Sequence, residues 1–337
     1  MSKVDDLLRC YPLDVRWTPP ALFEESVVVG ETRVELCGLS TTLYGEMATG
    51  SAAAVGESPV DRAFFELIER TSILEAMAAP ERRLMLFDRD ENLVGDVASA
   101  RVFPPAPSAR CVYARSNGVA VAHDFRAARD AARWELLERD RILRCWYGAS
   151  APLPTVLPPD PHLRGLAAEY DLAAYDFPGT DRESSVFVSA VFAFPRCYKH
   201  PIAYGFGAHE HGSGASAKAA RECLQRLAFL WGEAVPRRAP RFAPNAEYHQ
   251  EFFLQPRMKQ RLCTWLSGKH TALCCGIRQH EQVYSQRRYV DLTPKALGNR
   301  LRVLKALPIS EIELTFGHGH PRLESALPEV LKVHPVA

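Results

Sequence analysis

The chain has 337 residues, 47% hydrophobic and 24% charged, and its 41 Lys and Arg against 40 Asp and Glu leave a formal charge of +1. That balance suits a chain with a substantial core and excludes disordered or low-complexity classes, while so small a charge supplies no field to recruit nucleic acid or an anionic membrane. Apolar runs such as 227–231 fall far short of the ~18 residues a membrane span needs, and residues 1–8 lack the basic-then-apolar plan of a signal peptide, so a cytoplasmic protein with no membrane partner is expected.

Residues 26–44 are rich in β-branched side chains and interrupted by Gly30 and Gly38, which predicts strands joined by turns. On this reading 1–45 form an N-terminal segment of strands and turns ahead of a main domain over 46–337. A helix is expected over 58–78. Ser58 would cap it, Pro59 would take its first position, and Phe64, Leu67, Ile68 and Ile73 follow helical spacing. A proline-rich stretch at 104–110 precedes an expected strand over 111–123. A second helix follows over 124–148, capped by Asp124 and stopped by Gly148. Residues 149–163 hold five prolines and read as a loop. Strands are expected at 184–194 and 201–208, the second with Gly205 and Gly207 permitting close backbone approach. Ser216 would cap a third helix over 216–234, and 236–245 would be a connector. Short strands at 271–277, 287–293, 300–307 and 311–316 lead to a tail at 334–337. Strands alternating with three long helices indicate an α/β or α+β fold, mixed sheets packed with those helices.

The nine cysteines are odd in number and show no CxxC spacing, which favours buried free thiols, with the adjacent Cys274–Cys275 as the one redox candidate. The common nucleotide loops are absent. Gly205-Phe206-Gly207 meets Glu210 where a dinucleotide fingerprint needs its third glycine, and Gly268-Lys269 meets Cys263 where a phosphate loop needs its first.

One five-residue pattern occurs twice. Glu66-Leu67-Ile68-Glu69-Arg70 in the first helix matches Glu135-Leu136-Leu137-Glu138-Arg139 in the second, and Glu222-Cys223-Leu224-Gln225-Arg226 in the third is a partial echo. Positions i and i+3 share a helical face, so each helix presents paired carboxylates beside an arginine. Two readings fit. The pairs are solvated faces laced with weak ion pairs, worth ~0.3–0.5 kcal/mol each. Alternatively the three helices converge, and five carboxylates and an amide gather with three arginines around one cavity. Carboxylates so close raise one another's pKa unless cations intervene, and Mg²⁺ with arginine-held phosphates answers that need.

At these residues the chain resembles the YcaO-domain family, most of all the cyclodehydratase component of microcin-type thiazole/oxazole synthetases. Ser116-Asn117-Gly118 followed by Glu135/Glu138/Arg139, the earlier Glu66/Glu69/Arg70 and the later Glu222/Gln225 occur in the family's order over roughly 45–337. The resemblance implies a YcaO-like fold, with 46–337 as the ATP-binding catalytic domain. It also implies Mg²⁺ held by Glu66, Glu69, Glu135 and Glu138, and ATP contacted by Arg70, Ser116, Asn117, Arg139, Glu222 and Gln225. The implied reaction is ATP-dependent cyclodehydration of Cys, Ser or Thr in a ribosomal precursor peptide. Thioamide formation, amidine formation or a non-catalytic scaffold role are the alternatives. Two positions depart from the family: Ala54-Val55-Gly56 replaces a Gly-Lys-Gly, and a Pro-x-Pro-x-Pro terminus is reduced to His334-Pro335-Val336-Ala337. From that terminus His334 and the carboxylate of Ala337 are expected to act as catalytic proton acceptors. About 45 residues precede the first signature, fewer than a winged-helix leader-binding module needs. The resemblance therefore implies a complex with an E1-like leader-binding subunit, joined by a flavin-dependent dehydrogenase.

Overall fold

The computed structural model describes residues 2–106, 111–179, 185–197, 199–242, 245–270, 286–321, 323 and 331–336. The N-terminus opens with a helix, α1 (Lys3–Cys10), where strands and turns are expected. Ser2 and Asp5 close a reciprocal capping box, and Val4 anchors the helix in the core. Strands β1 (Ala21–Val29), β2 (Thr32–Leu43) and β3 (Glu46–Ala54) form one antiparallel sheet in that order, so residue 45 falls in the β2–β3 hairpin. Gly30, at φ 59°, makes the first turn. Gly38 does not break the segment; it lies inside β2 opposite Phe23.

Helix α2 (Val60–Met77) starts later than expected, with Pro59 itself in the cap position; among the described residues no side chain caps it, Ser58 included. It lies directly on β3. A Cβ at Gly50 would stand 2.1 Å from the Ala63 carbonyl oxygen, so only glycine allows the approach. Strands β4 (Arg83–Phe87) and β5 (Leu93–Ala98) and the short helix α3 (Ser99–Val102) follow.

The single strand expected over 111–123 is two, β6 (Cys111–Tyr113) and β7 (Val119–Ala122). The break is the turn at 114–118, where Gly118 takes φ 71°. Helix α4 (Phe125–Trp146) is capped as expected, Asp124 accepting the Ala127 N–H at 2.8 Å. The proline-rich loop carries two small elements, β8 (Leu153–Thr155) and α5 (Pro161–Arg164), the latter capped by Asp160. Next come β9 (Tyr170–Asp176), β10 (Phe187–Pro195) and β11 (Ala203–His209).

Helix α6 (Gly212–Phe229) begins four residues before Ser216, which lies within it. Gly-Ser-Gly-Ala reads locally as loop, but the small residues let the helix press on β11. A Cβ at Gly207 would stand 2.3 Å from the Ala215 oxygen, and one at Gly205 would stand 2.2 Å from the Cys223 nitrogen. Tertiary contact overrides propensity here. Two further helices, α7 (Ala246–Leu254) and α8 (Met258–Leu266), follow the proline-rich connector without having been expected there. They precede β12 (Tyr289–Asp291), β13 (Arg302–Ala306) and β14 (Thr315–Gly317). The strand expected at 271–277 and Cys274–Cys275 lie outside the described residues.

Three more antiparallel sheets result: β11-β10-β9-β8, β5-β4-β12-β13-β7, and the pair β14-β6. The mixed sheets and three long helices of the expected fold class are all present. One core packs the four-stranded sheet against α7, α8 and the C-terminal tail, where Val333 and Val336 are buried; a second joins the N-terminal sheet to α2 and the five-stranded sheet. The described cysteines are free. Cys37, Cys111, Cys145 and Cys223 are buried as expected, while Cys10, Cys197 and Cys263 are exposed. Among the described residues no helix is long and apolar enough to cross a membrane.

Candidate active site

Helices α2, α4 and α6 converge at the repeated motif. Glu138 of α4 is 1% exposed, and its Oε2 accepts from Lys218 Nζ of α6 at 3.0 Å. The same ammonium stands 3.7 Å from Glu222 Oε1, so one lysine ties α4 to α6. Arg139 Nη1 lies 3.4 Å from Glu138 Oε1, an ion pair outside hydrogen-bond geometry, and that oxygen has no hydrogen-bond partner among the described residues. Glu222 Oε2 accepts the Phe206 N–H of β11 at 3.4 Å, a contact the glycines of β11 permit by letting α6 lie flat. On α2, Glu66 accepts the Ser51 N–H at 2.9 Å and Arg70 Nη2 at 3.2 Å, so the Gly50 approach also fixes this carboxylate.

Electrostatics define the centre. Burial, reinforced by Glu135, holds the Glu69 carboxyl well above the usual range. Burial likewise raises Glu135, against the pull of Arg139 and Lys218, and raises Glu222 against Lys218. Glu138 goes the other way: Lys218 and Arg139 outweigh its burial and hold it ionised. Burial lowers Arg70 and Arg139 less than the surrounding glutamates raise them. Of the two readings of the repeat, solvated faces or converging ones, the carboxylates follow the second in converging, though without its third arginine and its single cavity.

Lys305, which the sequence does not single out, extends the cluster. It sits in β13 at 7% exposure, and Nζ donates to the main-chain oxygens of Asn117 at 2.6 Å and Arg115 at 3.3 Å. Burial drives its pKa down to about 8, with Glu135, Glu313 and Glu69 opposing the shift. A lysine in the buried run Val-Leu-Lys-Ala is the available signal. Lys218, four residues before Glu222 on one helical face, is the other.

Glu69, Glu135, Glu138, Glu222, Arg70 and Arg139 thus come together, with Glu66 joined through Arg70. Gln225 is half-buried one turn beyond Glu222, and Ser116 and Asn117 occupy the turn held by Lys305. The third arginine does not join: Arg226 stacks on the Tyr204 ring at 4.2 Å, because position 226 faces β11. Nor do the carboxylates line one large cavity. The cavity of 690 Å³ beside them is bordered by Asn117, Leu136 and Lys305, and by none of those five glutamates.

His334 is 1% exposed, and its surroundings are His249, Phe316 and the β14 backbone rather than the acidic cluster. Its Nε2 lies 2.6 Å from the Thr315 carbonyl, which can only accept, so that nitrogen carries the proton. His249 Nδ1 donates to the His334 carbonyl at 3.0 Å and its Nε2 accepts the Gly317 N–H at 3.0 Å, which fastens the tail to β14. Burial keeps both imidazoles neutral, His249 falling to about 4. Ala337 lies outside the described residues.

Among the described residues no three His, Cys, Asp or Glu side chains stand as a ready-made ligand set for a metal ion. The donor chemistry nevertheless fits a hard cation and phosphates: carboxylates held at raised pKa, Glu138 Oε1 and Asn117 Oδ1 without hydrogen bonds among the described residues, and two arginines alongside.

A family description, YcaO cyclodehydratase, ATP- and Mg²⁺-binding, matches residues 97–299, which carry α4 and α6 but not α2. No curated protein matches the chain by sequence. Solved structures share its fold. YcaO from Methanopyrus kandleri bound with AMPPCP and Mg²⁺ superposes at TM-score 0.58 with 16% identity over 86% of this chain and 85% of that one. A chain of the E. coli microcin synthetase McbBCD complex with pro-MccB17 bound gives 0.62 with 11% identity over 94% and 96%. A heterocyclase in complex with substrate and cofactor gives 0.59 with 14% identity over 98% of this chain but 56% of its own.

Proposed function

We propose, from the premise that this chain belongs to the YcaO family, that it uses ATP and Mg²⁺ to activate backbone amides of a ribosomal precursor peptide and close azoline rings. The observation that carries the reading is the convergence of Glu69, Glu135, Glu138 and Glu222 from three helices around Arg70 and Arg139. Bound Mg²⁺ would neutralise charge on the phosphate oxygens. Glu66, Glu69, Glu135 and Glu138 are the carboxylates to hold it, while Arg70 and Arg139 suit phosphate by their planar forks. Ser116, Asn117, Glu222 and Gln225 complete the nucleotide contacts.

The chemistry needs such a site. When a Cys, Ser or Thr side chain attacks the preceding carbonyl, the amide oxygen must leave, and oxygen alone is a poor leaving group. Phosphorylation of that oxygen makes it a good one. Fixed cations that face the developing negative charge supply the usual stabilisation of phosphoryl transfer. The working unit is proposed to be cytoplasmic and to include an E1-like leader-binding subunit and a flavin-dependent dehydrogenase that oxidises azolines. Reconstitution tests the whole reading: phosphate release should require precursor peptide and rise with the leader-binding partner, with dehydrated peptide visible by mass. Robust modification by the single chain would remove the partner; phosphate release without a change in peptide mass would remove the reaction.

The tail belongs to the same proposal. His334 is neutral, and its Nδ1, without a hydrogen-bond partner among the described residues, is the atom to take a proton; the carboxylate of Ala337 is the second acceptor. Burial also makes His334 a weak base, so the effect should be partial. Deleting residues 335–337 removes the buried Val336 and the 2.8 Å bond from Tyr204 Oη to the Pro335 carbonyl. That deletion should cost about 2–3 kcal/mol of stability. Product formation should fall about tenfold with nucleotide binding spared; full activity after deletion would remove the tail from the mechanism.

A further inference from the structure

The 690 Å³ cavity adjoins the carboxylate cluster, and Asn117, among the proposed nucleotide contacts, stands on their shared border. Three runs of consecutive residues line it, 101–106, 112–115 and 305–309, together with Met77, Leu136 and Glu313 among others. Residues 112–113 and 305–306 belong to strands, whose successive residues point to opposite sides, so a cavity touched by both members of each pair is bounded there by main chain as well as side chains. Pro104, Pro105 and Pro308 contribute carbonyls but no N–H, so at these three positions the main chain offers an acceptor without a donor. Three cations stand in it, Arg101 of α3, Arg115 beside the Ser116-Asn117 turn and Lys305 of β13, against one carboxylate, Glu313. Lys305 is engaged by the Arg115 and Asn117 carbonyls, which leaves Arg101 and Arg115 to face a ligand. The volume falls within the ordinary range of ~300–1,000 Å³ for ligand sites, room for a few residues of chain and far too little for a folded partner.

We propose that this cavity receives an extended stretch of substrate peptide bearing an acidic side chain beside the amide to be modified. The proposal rests on the amide-activating reading above and gives it a substrate class. Peptide N–H groups meet the main-chain carbonyls at Pro104, Pro105 and Pro308, small side chains meet Val102, Phe103 and Leu307, and a carboxylate meets Arg101 and Arg115. The nucleotide's phosphates have their own cations in Arg70 and Arg139, neither of which lines this space. Continuity supplies the geometry. Asn117, Leu136 and Lys305 border the cavity, while Leu136 is the neighbour of Glu135 and Lys305 feels Glu69 and Glu135 directly. A peptide lying in the cavity therefore passes its backbone along the edge of the carboxylate cluster.

Fluorescein-labelled peptides of Gly, Ser and Cys, carrying either two Asp or two Lys, are titrated by anisotropy with the full chain, alongside a fluorescent ATP analogue with Mg²⁺. The acidic peptide should bind about tenfold tighter than the basic one. The variant Arg101→Glu/Arg115→Glu should reverse that ranking. Val112→Trp, at a side chain already 39% exposed and so tolerant of size, should weaken both peptides about fivefold by narrowing the space. Nucleotide affinity should stay unchanged in all three proteins. An unchanged peptide ranking, no peptide binding by the unaltered chain, or wall variants that weaken the nucleotide instead would each overturn the assignment. Failure of the ATP reading is distinct: the unaltered chain would then bind no nucleotide, whatever the peptides do.

Discussion

The variant Glu135→Ala/Glu138→Ala should lose Mg²⁺-dependent binding of a fluorescent ATP analogue by at least about 100-fold, since even the groups behind metal ligands are worth 10–100-fold. The two residues make different contributions. Glu138 is ionised and tied to Lys218 and Arg139, so its removal leaves a half-buried lysine and arginine unmatched. Glu135 sits with its carboxyl pKa raised by burial, beside Glu69 raised further. The isosteric Glu135→Gln/Glu138→Gln separates folding from binding, because it keeps the volume and removes the charge. A folded Gln variant with unchanged affinity would remove these carboxylates from the nucleotide site. The same titration carries a pH signature. Protonated Glu69 and Glu135 compete with a cation, so affinity should fall as the solution is acidified, and the fall should begin nearer neutrality than ordinary carboxylates allow. An affinity flat from pH 8 to pH 5 would contradict the cause assigned to the raised values.

What is legible in the sequence is what repeats or alternates. The i,i+3 carboxylates of α2 and α4 report their shared face by spacing alone, and Gly205 and Gly207 announce the close approach that aims Glu222. Local signals fail where tertiary contact decides the outcome. Gly212–Ala215 reads as loop until β11 lies beneath it. Ser58 resembles a cap, yet Pro59 occupies the cap position. The extended run over 111–123 breaks because β6 and β7 join different partners, β14 and β13, which lie almost two hundred residues on; no local pattern encodes that. Lys218 and Lys305 go unmarked for a related reason. A lone lysine takes its meaning from the acids opposite, and those lie on other elements.

Lys218→Met should destabilise the fold by about 2–3 kcal/mol, below the ~3–5 kcal/mol of a wholly buried broken pair because the lysine side chain keeps 35% of its exposure. The loss should depend on pH with a definite sign. Lys218 is the first-named cation that holds Glu138 ionised, and a depressed carboxyl contributes stability above its unfolded pKa that disappears as pH falls through the folded one. Remove the lysine and the buried Glu138 faces the half-buried Glu222 with no cation between them, so both carboxyls rise in pKa; at pH 8 the variant must hold both charges, while at pH 5 it takes up protons instead. Urea unfolding should therefore show a larger deficit against the unaltered chain at pH 8 than at pH 5, and Lys218→Arg should recover most of it. The proposed function follows the same logic, since a cation between α4 and α6 keeps both helix faces at the spacing from which Arg139 would reach phosphate. A deficit equal at the two pH values would mean that Lys218 contributes through the packing of its methylene stem, and that the charge bridge between α4 and α6 is not what holds this corner of the site.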